Sequence, residues 1–163
     1  MTLWLRGHGY RFEMENICRL FLPQEKIRAV EERPEETEGV TAETGLERGE
    51  TATRIVCRLR LAEVDNTRAD YRDACELQMA TLLYQLFVRL FGYAQAWGIV
   101  TGVRPVKLLR RLILQDGEEA ALRYFREALL VDEKKTALCR ETLSQENQIL
   151  DLSRPDSFSL YIS

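Results

Sequence analysis

The stretch RIVCRLRLAEV, residues 54–64, is the clearest strand in the sequence and decides its fold class. One face is formed by Ile55, Cys57, Leu59 and Leu61, and the other by Arg54, Arg58 and Arg60. This period of two is typical of a half-buried antiparallel strand. We expect the apolar face to pack on a core and the arginine face to be solvated.

The elements around this strand predict an α+β lobe over residues 1–92. Residues 70–91 read as one long helix, with an apolar stripe formed by Met79, Leu82, Leu83, Leu86, Phe87 and Leu90. Gly92 is placed to end it. A second helical pattern begins at Phe12 and stops at Pro23, while residues 2–6 and 26–30 read as short strands. We expect a small antiparallel sheet covered on one face by two helices.

Residues 31–50 stand apart by their charge, since they hold eight glutamates and only two arginines. Such a stretch buries little apolar area, so we expect a solvated loop or an edge hairpin, and the most mobile internal segment of the chain. A paired-carboxylate active site is disfavoured there for the same reason.

After residue 92 the sequence predicts helices alone, over residues 93–155. Pro105 opens a helix that ends near Gly117, residues 118–129 form a second, and Asp132 caps a third that runs to about residue 152. The final residues, 156–163, alternate like a strand that has no partner after it. We interpret them as the first strand of a missing domain, and the chain as a fragment of a longer protein.

Composition excludes several classes of protein. The 163 residues are 45% hydrophobic and 30% charged, with a net charge of −3, which suits a globular protein. The longest apolar stretches are too short to span a membrane, and the amino terminus lacks the pattern of a secretory signal. A cytoplasmic location is therefore expected.

Candidate catalytic groups are few. Cys18, Cys57, Cys75 and Cys139 are far apart in the sequence, so we interpret them as small buried thiols rather than metal ligands. The single histidine, His8, lies between two glycines, and this pattern predicts a turn. We expect no catalytic residue and no metal site in this chain.

Positive charge gathers in WGIVTGVRPVKLLRR, residues 97–111, which contains four cations and no acid. On a helical wheel, Leu108, Leu109, Leu112 and Ile113 cover one side, and Arg104, Lys107, Arg110 and Arg111 cover the other. The free N–H groups that follow Pro105 point out of the same helix end. We therefore select Thr101, Gly102, Arg104, Lys107 and Arg111 as an anion-binding or interface surface. The alternative is a surface helix whose basic residues only keep it soluble.

Residues 97–113, WGIVTGVRPVKLLRRLI, resemble the Trp-Gly-Ile-Leu-Thr-Gly-Ile-Arg-Pro-Thr-Lys-Leu segment of oxygen-independent coproporphyrinogen III oxidase-like radical SAM proteins of the HemZ type. Residues 131–150 are similar to the helix that follows this segment in that family. Residues 158–163, FSLYIS, are similar to the strand that leads into its three-cysteine loop. Val106 departs from the family pattern, which often has threonine there.

The resemblance implies that this chain is an amino-terminal accessory region that docks onto a radical SAM catalytic domain. For the whole protein it implies a [4Fe–4S] cluster, S-adenosylmethionine and a tetrapyrrole substrate with carboxylates, in haem biosynthesis. The cluster cysteines do not occur in this chain, so no cofactor is expected in it. Haem chaperones and alkyltransferases have related catalytic domains, and their accessory regions remain an alternative.

Two other functional classes are alternatives to an accessory region of an enzyme. A nucleic-acid-binding helical module would use the basic helix to follow phosphates, but the acidic pI near 5.4 opposes binding to a polyanion. A protein-interaction domain without an attached enzyme is the other alternative.

Overall fold

The computed structural model of the chain describes residues 1–34, 41–60, 67–71 and 74–151. Parts of the sequence predictions lie outside these residues. They are residues 35–40 of the acidic stretch, the end of the central strand, residues 61–64, and the strand expected at residues 156–163.

A five-stranded sheet forms the first part of the protein, in the order β2-β1-β3-β4-β5. Its strands are β1 (Thr2–Arg6), β2 (Arg28–Val30), β3 (Thr41–Arg48), β4 (Thr53–Arg60) and β5 (Thr67–Tyr71). The α+β class is confirmed. The sheet is mixed, however, because β1 runs parallel to both β2 and β3, while β4 is antiparallel to β3 and β5. The expectation of a wholly antiparallel sheet was wrong, since a helix between β1 and β2 returns the chain to the same end of the sheet.

Two helices complete the core of this part, α1 (Arg11–Phe21) and α2 (Cys75–Phe91). Leu3 and Ile55 of the sheet and Phe87 of α2 are fully buried in one apolar cluster. Phe21 of α1 stacks on Phe87, with ring centroids 5.1 Å apart. Gly92 ends α2 with a φ of +74°, as predicted.

The start of the long helix was wrongly predicted. Residues that we expected in its first turn, including Asp70 and Tyr71, belong to β5, which pairs with β4. Helix α2 begins only at Cys75, after Ala74 in a left-handed conformation. The sequence TRADY is short and has only a weak alternation of charged and less polar residues, so its pairing with β4 decides that it is a strand.

The acidic stretch also differs from its prediction. Strand β3 lies between β1 and β4, and all its residues from Ala42 to Leu46 are buried. Ala42, Thr44 and Leu46 face the core together with their partners on β4, and Glu43 faces the opposite side among arginines. The prediction of a solvated loop or edge hairpin was therefore wrong for residues 41–48. Arginines on the neighbouring strands pair with the carboxylate of Glu43, so this charge is compatible with a strand inside the sheet.

The remaining helices match the sequence pattern closely. They are α3 (Pro105–Asp116), α4 (Glu118–Glu127) and α5 (Glu133–Asp151). Asp132 caps α5 as predicted, since its Oδ1 accepts the N–H of Lys135 over 2.6 Å. None of the helices in the described residues is both long and apolar enough to cross a bilayer.

The helical part packs onto the sheet part through a continuous core. Leu109 of α3 and Phe125 of α4 are fully buried and belong to the same apolar cluster as the sheet residues. Gln95 also connects the two parts, since its Nε2 donates to the carbonyl of Leu20 over 2.5 Å. The hydroxyl of Tyr84 contacts both the N–H and the carbonyl of Gln95. These contacts hold the segment that leads to α3.

Candidate functional site

The turn before α3 is held by backbone contacts with the α4–α5 connection. The N–H of Ile99 donates to the carbonyl of Leu129, and the N–H of Asp132 donates to the carbonyl of Ala96, each over 3.0 Å. Gly98 has a φ of +56°, and a β-carbon there would overlap the backbone of Leu129 and Leu130. Only glycine permits this approach, so the Trp-Gly-Ile sequence has a structural role.

This turn positions the first residues of α3. Gly102 has a φ of +67°, Arg104 is extended, and Pro105 is the first helical residue, as predicted. No side chain caps this helix end, so the N–H groups of its first turn face outward. Thr101 is half-buried just before them.

Three of the predicted cations remain available on α3. Arg104, Lys107 and Arg111 are exposed, and none of them has an ion pair with another described residue. Arg110 behaves differently, because its Nη2 donates to Glu146 and Asn147 of α5 over 3.1 and 3.2 Å. The outer cationic face predicted for this helix therefore has three members instead of four.

The same face carries apolar side chains that the helical wheel did not single out. Val103 is 54% exposed and Leu114 is 81% exposed. Leu114 lies three residues after Arg111 and seven after Lys107, a spacing that places it on the cationic face. This spacing is visible in the sequence and was the signal that we missed.

These residues border a groove of about 550 Å³, which we call the α3 groove. It is lined by Val103, Arg104, Lys107, Leu108, Arg110, Arg111, Leu114 and Gln115. An apolar floor beside exposed cations can bind a carboxylate that is attached to an apolar body. Of the five residues selected from the sequence, the groove includes Arg104, Lys107 and Arg111, while Thr101 and Gly102 precede it.

The thiols do not form a site. Cys18, Cys57 and Cys139 are buried, whereas Cys75 is half-buried, which corrects the expectation of four buried thiols. Burial raises the pKa of Cys18 and of Cys57 to about 12, so both thiols stay protonated and are poor metal ligands. Within the described parts of the chain, no group of three or more histidine, cysteine or acidic residues is placed to hold a metal ion.

The single histidine ties the β1–α1 turn to the sheet. His8 Nδ1 accepts the N–H of Tyr10 over 3.2 Å, so the ring proton is on Nε2, which donates to the carbonyl of Thr44 over 3.1 Å. The ring also stacks on Tyr10. Burial lowers the pKa of His8, partly opposed by the bond to the Thr44 carbonyl. Both ring nitrogens are used structurally, which gives this histidine no catalytic geometry.

The α3 groove is thus the candidate site. Comparisons with the models of protein families, with curated proteins and with solved structures found no match to this chain.

Proposed function

We propose that this chain is the amino-terminal accessory region of a radical SAM protein similar to oxygen-independent coproporphyrinogen III oxidase. In this proposal the chain contributes no catalytic residue, and its α3 groove docks onto the catalytic domain that follows. The parent enzyme acts in haem biosynthesis, with a tetrapyrrole as its substrate.

The resemblance of residues 97–113 supports the family. Gly98 and Pro105 of this segment have demanding structural roles, because Gly98 allows the backbone contact with residues 129–130 and Pro105 begins α3. A protein that shares this sequence would share the local turn. The resemblance therefore concerns a segment whose conformation depends on its sequence.

One observation supports the docking role most strongly. Arg104, Lys107 and Arg111 have no ion-pair partner among the described residues, and they lie beside the exposed side chains of Val103 and Leu114. Exposed apolar side chains next to unpaired charges are typical of a protein interface with a polar rim. Arginine pairs well with carboxylates across such an interface, because its planar group forms two parallel hydrogen bonds.

The [4Fe–4S] cluster and S-adenosylmethionine implied for the parent protein do not fit the residues present here. Three of the four thiols are buried in the core, and burial raises the pKa of each of these three, Cys18, Cys57 and Cys139. We therefore assign no cluster chemistry to this chain. Anaerobic reconstitution with iron and sulfide should leave no stoichiometric cluster on it after gel filtration.

The gene sequence beyond codon 163 provides a test of the proposed family. The thirty codons after residue 163 should encode the pattern Cys-x-x-x-Cys-x-x-Cys, which supplies the three cluster ligands. A stop codon directly after residue 163 would refute the proposal.

A double substitution tests the docking role. In the longer protein, Arg104→Ala with Lys107→Ala should destabilise the association of the two parts, because losing one partner of a desolvated charge pair costs about 2–5 kcal/mol. The isolated 163-residue chain should keep its melting temperature, since both side chains are exposed in it. Arg123→Ala with Arg126→Ala on α4, also exposed, is the matched control.

Direct binding of substrate carboxylates by these cations predicts another result. The KM would rise while the stability of the longer protein stayed the same. If the double substitution unfolds the isolated chain as well, Arg104 and Lys107 belong to the scaffold, and neither role holds.

A further inference from the structure

The turn before the α3 groove lies next to an exposed aromatic side chain of α1. A β-carbon placed on Gly102 would lie 3.9 Å from Cε1 of Phe12, so the ring of Phe12 lies next to the turn before α3. Phe12 is 65% exposed. Val103 and Leu114, the exposed apolar residues that line the groove, lie just before α3 and near its end.

Cations line the same groove. Lys107 is three residues after Arg104, and Arg111 is four residues after Lys107. Lys107 and Arg111, four residues apart in α3, share one face of the helix, and Arg104 immediately precedes its first residue. The first acidic residue of α3 is Asp116, which does not line the groove. The charged residues that line the groove are therefore all cations, and one of them, Arg110, already pairs with Glu146 of α5.

We propose that the α3 groove binds an amphipathic helix whose apolar face is flanked by carboxylates. The inference rests on the docking role proposed above and gives the chemistry of the docking partner. Apolar anchors at i, i+3 or i+4, and i+7 are the usual pattern of a helix that lies in a groove. Carboxylates at similar spacing would pair with Arg104, Lys107 and Arg111 in turn.

The apolar side chains favour such a helix over a nucleic acid. A phosphate backbone would pair with the cations and leave Leu114 and Val103 without apolar contacts. A helix that carries both leucines and glutamates satisfies both parts of the surface.

A peptide titration tests this inference on the 163-residue chain. The probe is a fluorescein-labelled 14-residue helical peptide with leucines on one face and three glutamates at i, i+3 and i+7 beside them. Fluorescence anisotropy should show saturable binding. Charge reversal at Arg104, Lys107 and Arg111 to glutamate should weaken it about tenfold or more, because three attractive charge pairs become repulsive.

A charge-swapped probe makes the test specific. A peptide with lysines in place of the three glutamates should bind the charge-reversed chain and should not bind the original chain. Leu114→Ser should weaken the original pair about tenfold, because the side chain at 114 no longer buries apolar surface against the peptide. Arg123→Glu with Arg126→Glu on α4 is the control and should leave binding unchanged.

Three outcomes would overturn the inference. The first is the absence of saturable peptide binding. The second is a Leu114→Ser variant that binds the peptide as well as the original chain does, together with a single-stranded oligonucleotide that competes equally well. This second result would indicate a general anion-binding surface. The third is a dimer in sedimentation that Leu114→Ser dissociates, which would assign the groove to a second copy of the chain. The cysteine pattern in the gene does not depend on any of these three outcomes. The peptide-binding inference can therefore fail while the family proposal holds, and the reverse is also true.

Discussion

Glu43 and Arg58 face each other across β3 and β4, and Arg58 Nη1 donates to Glu43 Oε2 over 2.9 Å. Arg6 of β1 approaches the same carboxylate from the other side, with its Nε 3.4 Å from Oε1. Glu43 is only 6% exposed. Arginines from both neighbouring strands therefore allow a glutamate in the middle of the sheet.

Glu43→Gln should destabilise the protein. The substitution keeps the shape of the side chain but leaves Arg58 without its anion, while Arg6 keeps its ion pair with Glu47. A lost charged hydrogen bond of this kind costs about 1–3 kcal/mol. Urea denaturation monitored by circular dichroism measures the change. Glu118→Gln is the control, because Glu118 pairs with Arg140 at the surface, where such pairs contribute about 0–1 kcal/mol. Equal losses in the two variants would show that the pairing of Glu43 adds no stability.

Hydrogen exchange should place β3 among the protected strands. Because β3 lies between β1 and β4, its backbone groups are bonded on both sides, and amides of residues 42–46 should exchange as slowly as those of β4. Amide exchange measured by NMR tests this directly. Exchange of residues 42–46 at the rate of a free peptide would instead support the loop expected from their acidity.

The His8 tether should make stability depend on pH. Burial lowers its pKa in the folded protein below the ordinary value of 6.5, so between these two pKa values the unfolded chain binds more protons. The free energy of unfolding contributed by His8 is thus fully present above pH 6.5 and decreases as pH falls toward the folded pKa. Urea denaturation from pH 5 to pH 8 measures this decrease.

His8→Gln is the matching variant, because its amide can still donate to the Thr44 carbonyl but does not titrate. The difference in unfolding free energy between the original chain and this variant should be largest above pH 6.5 and should shrink in acid. Other ionisable groups cancel in this difference. A difference that is constant over the whole range would contradict a titrating role for His8.

Gly98→Ala should destabilise the protein much more than Gly92→Ala. Both glycines have positive φ, which costs alanine about 1–2 kcal/mol. A β-carbon on Gly92 would meet only open space, whereas one on Gly98 would overlap the backbone of Leu129 and Leu130, which adds about 1–3 kcal/mol of overpacking. Thermal denaturation compares the two variants. Similar melting temperatures would mean that the contact between residues 98 and 129–130 relaxes without cost.

The groove was only partly predictable. The cationic spacing of Arg104, Lys107 and Arg111 is visible in the sequence, and so is the position of Leu114. Arg110, in contrast, pairs with Glu146 of α5, which is 36 residues further along the chain. This contact depends on how α5 packs against α3. Likewise, the proximity of Phe12 to Gly102 joins two elements that are distant in the sequence, so no local pattern predicts it.

Local sequence patterns are sufficient to predict the helices and the strands β1, β2 and β4. The apolar stripe of α2, Gly92 at its end and Pro105 at the start of α3 act within a few residues, where backbone preference and side-chain period decide the conformation. In contrast, β3, β5 and the parallel direction of β1 follow from long-range contacts. These depend on partners, since the acidic β3 is a strand because Arg6 and Arg58 pair with Glu43, and the polar β5 is a strand because β4 completes its hydrogen bonds.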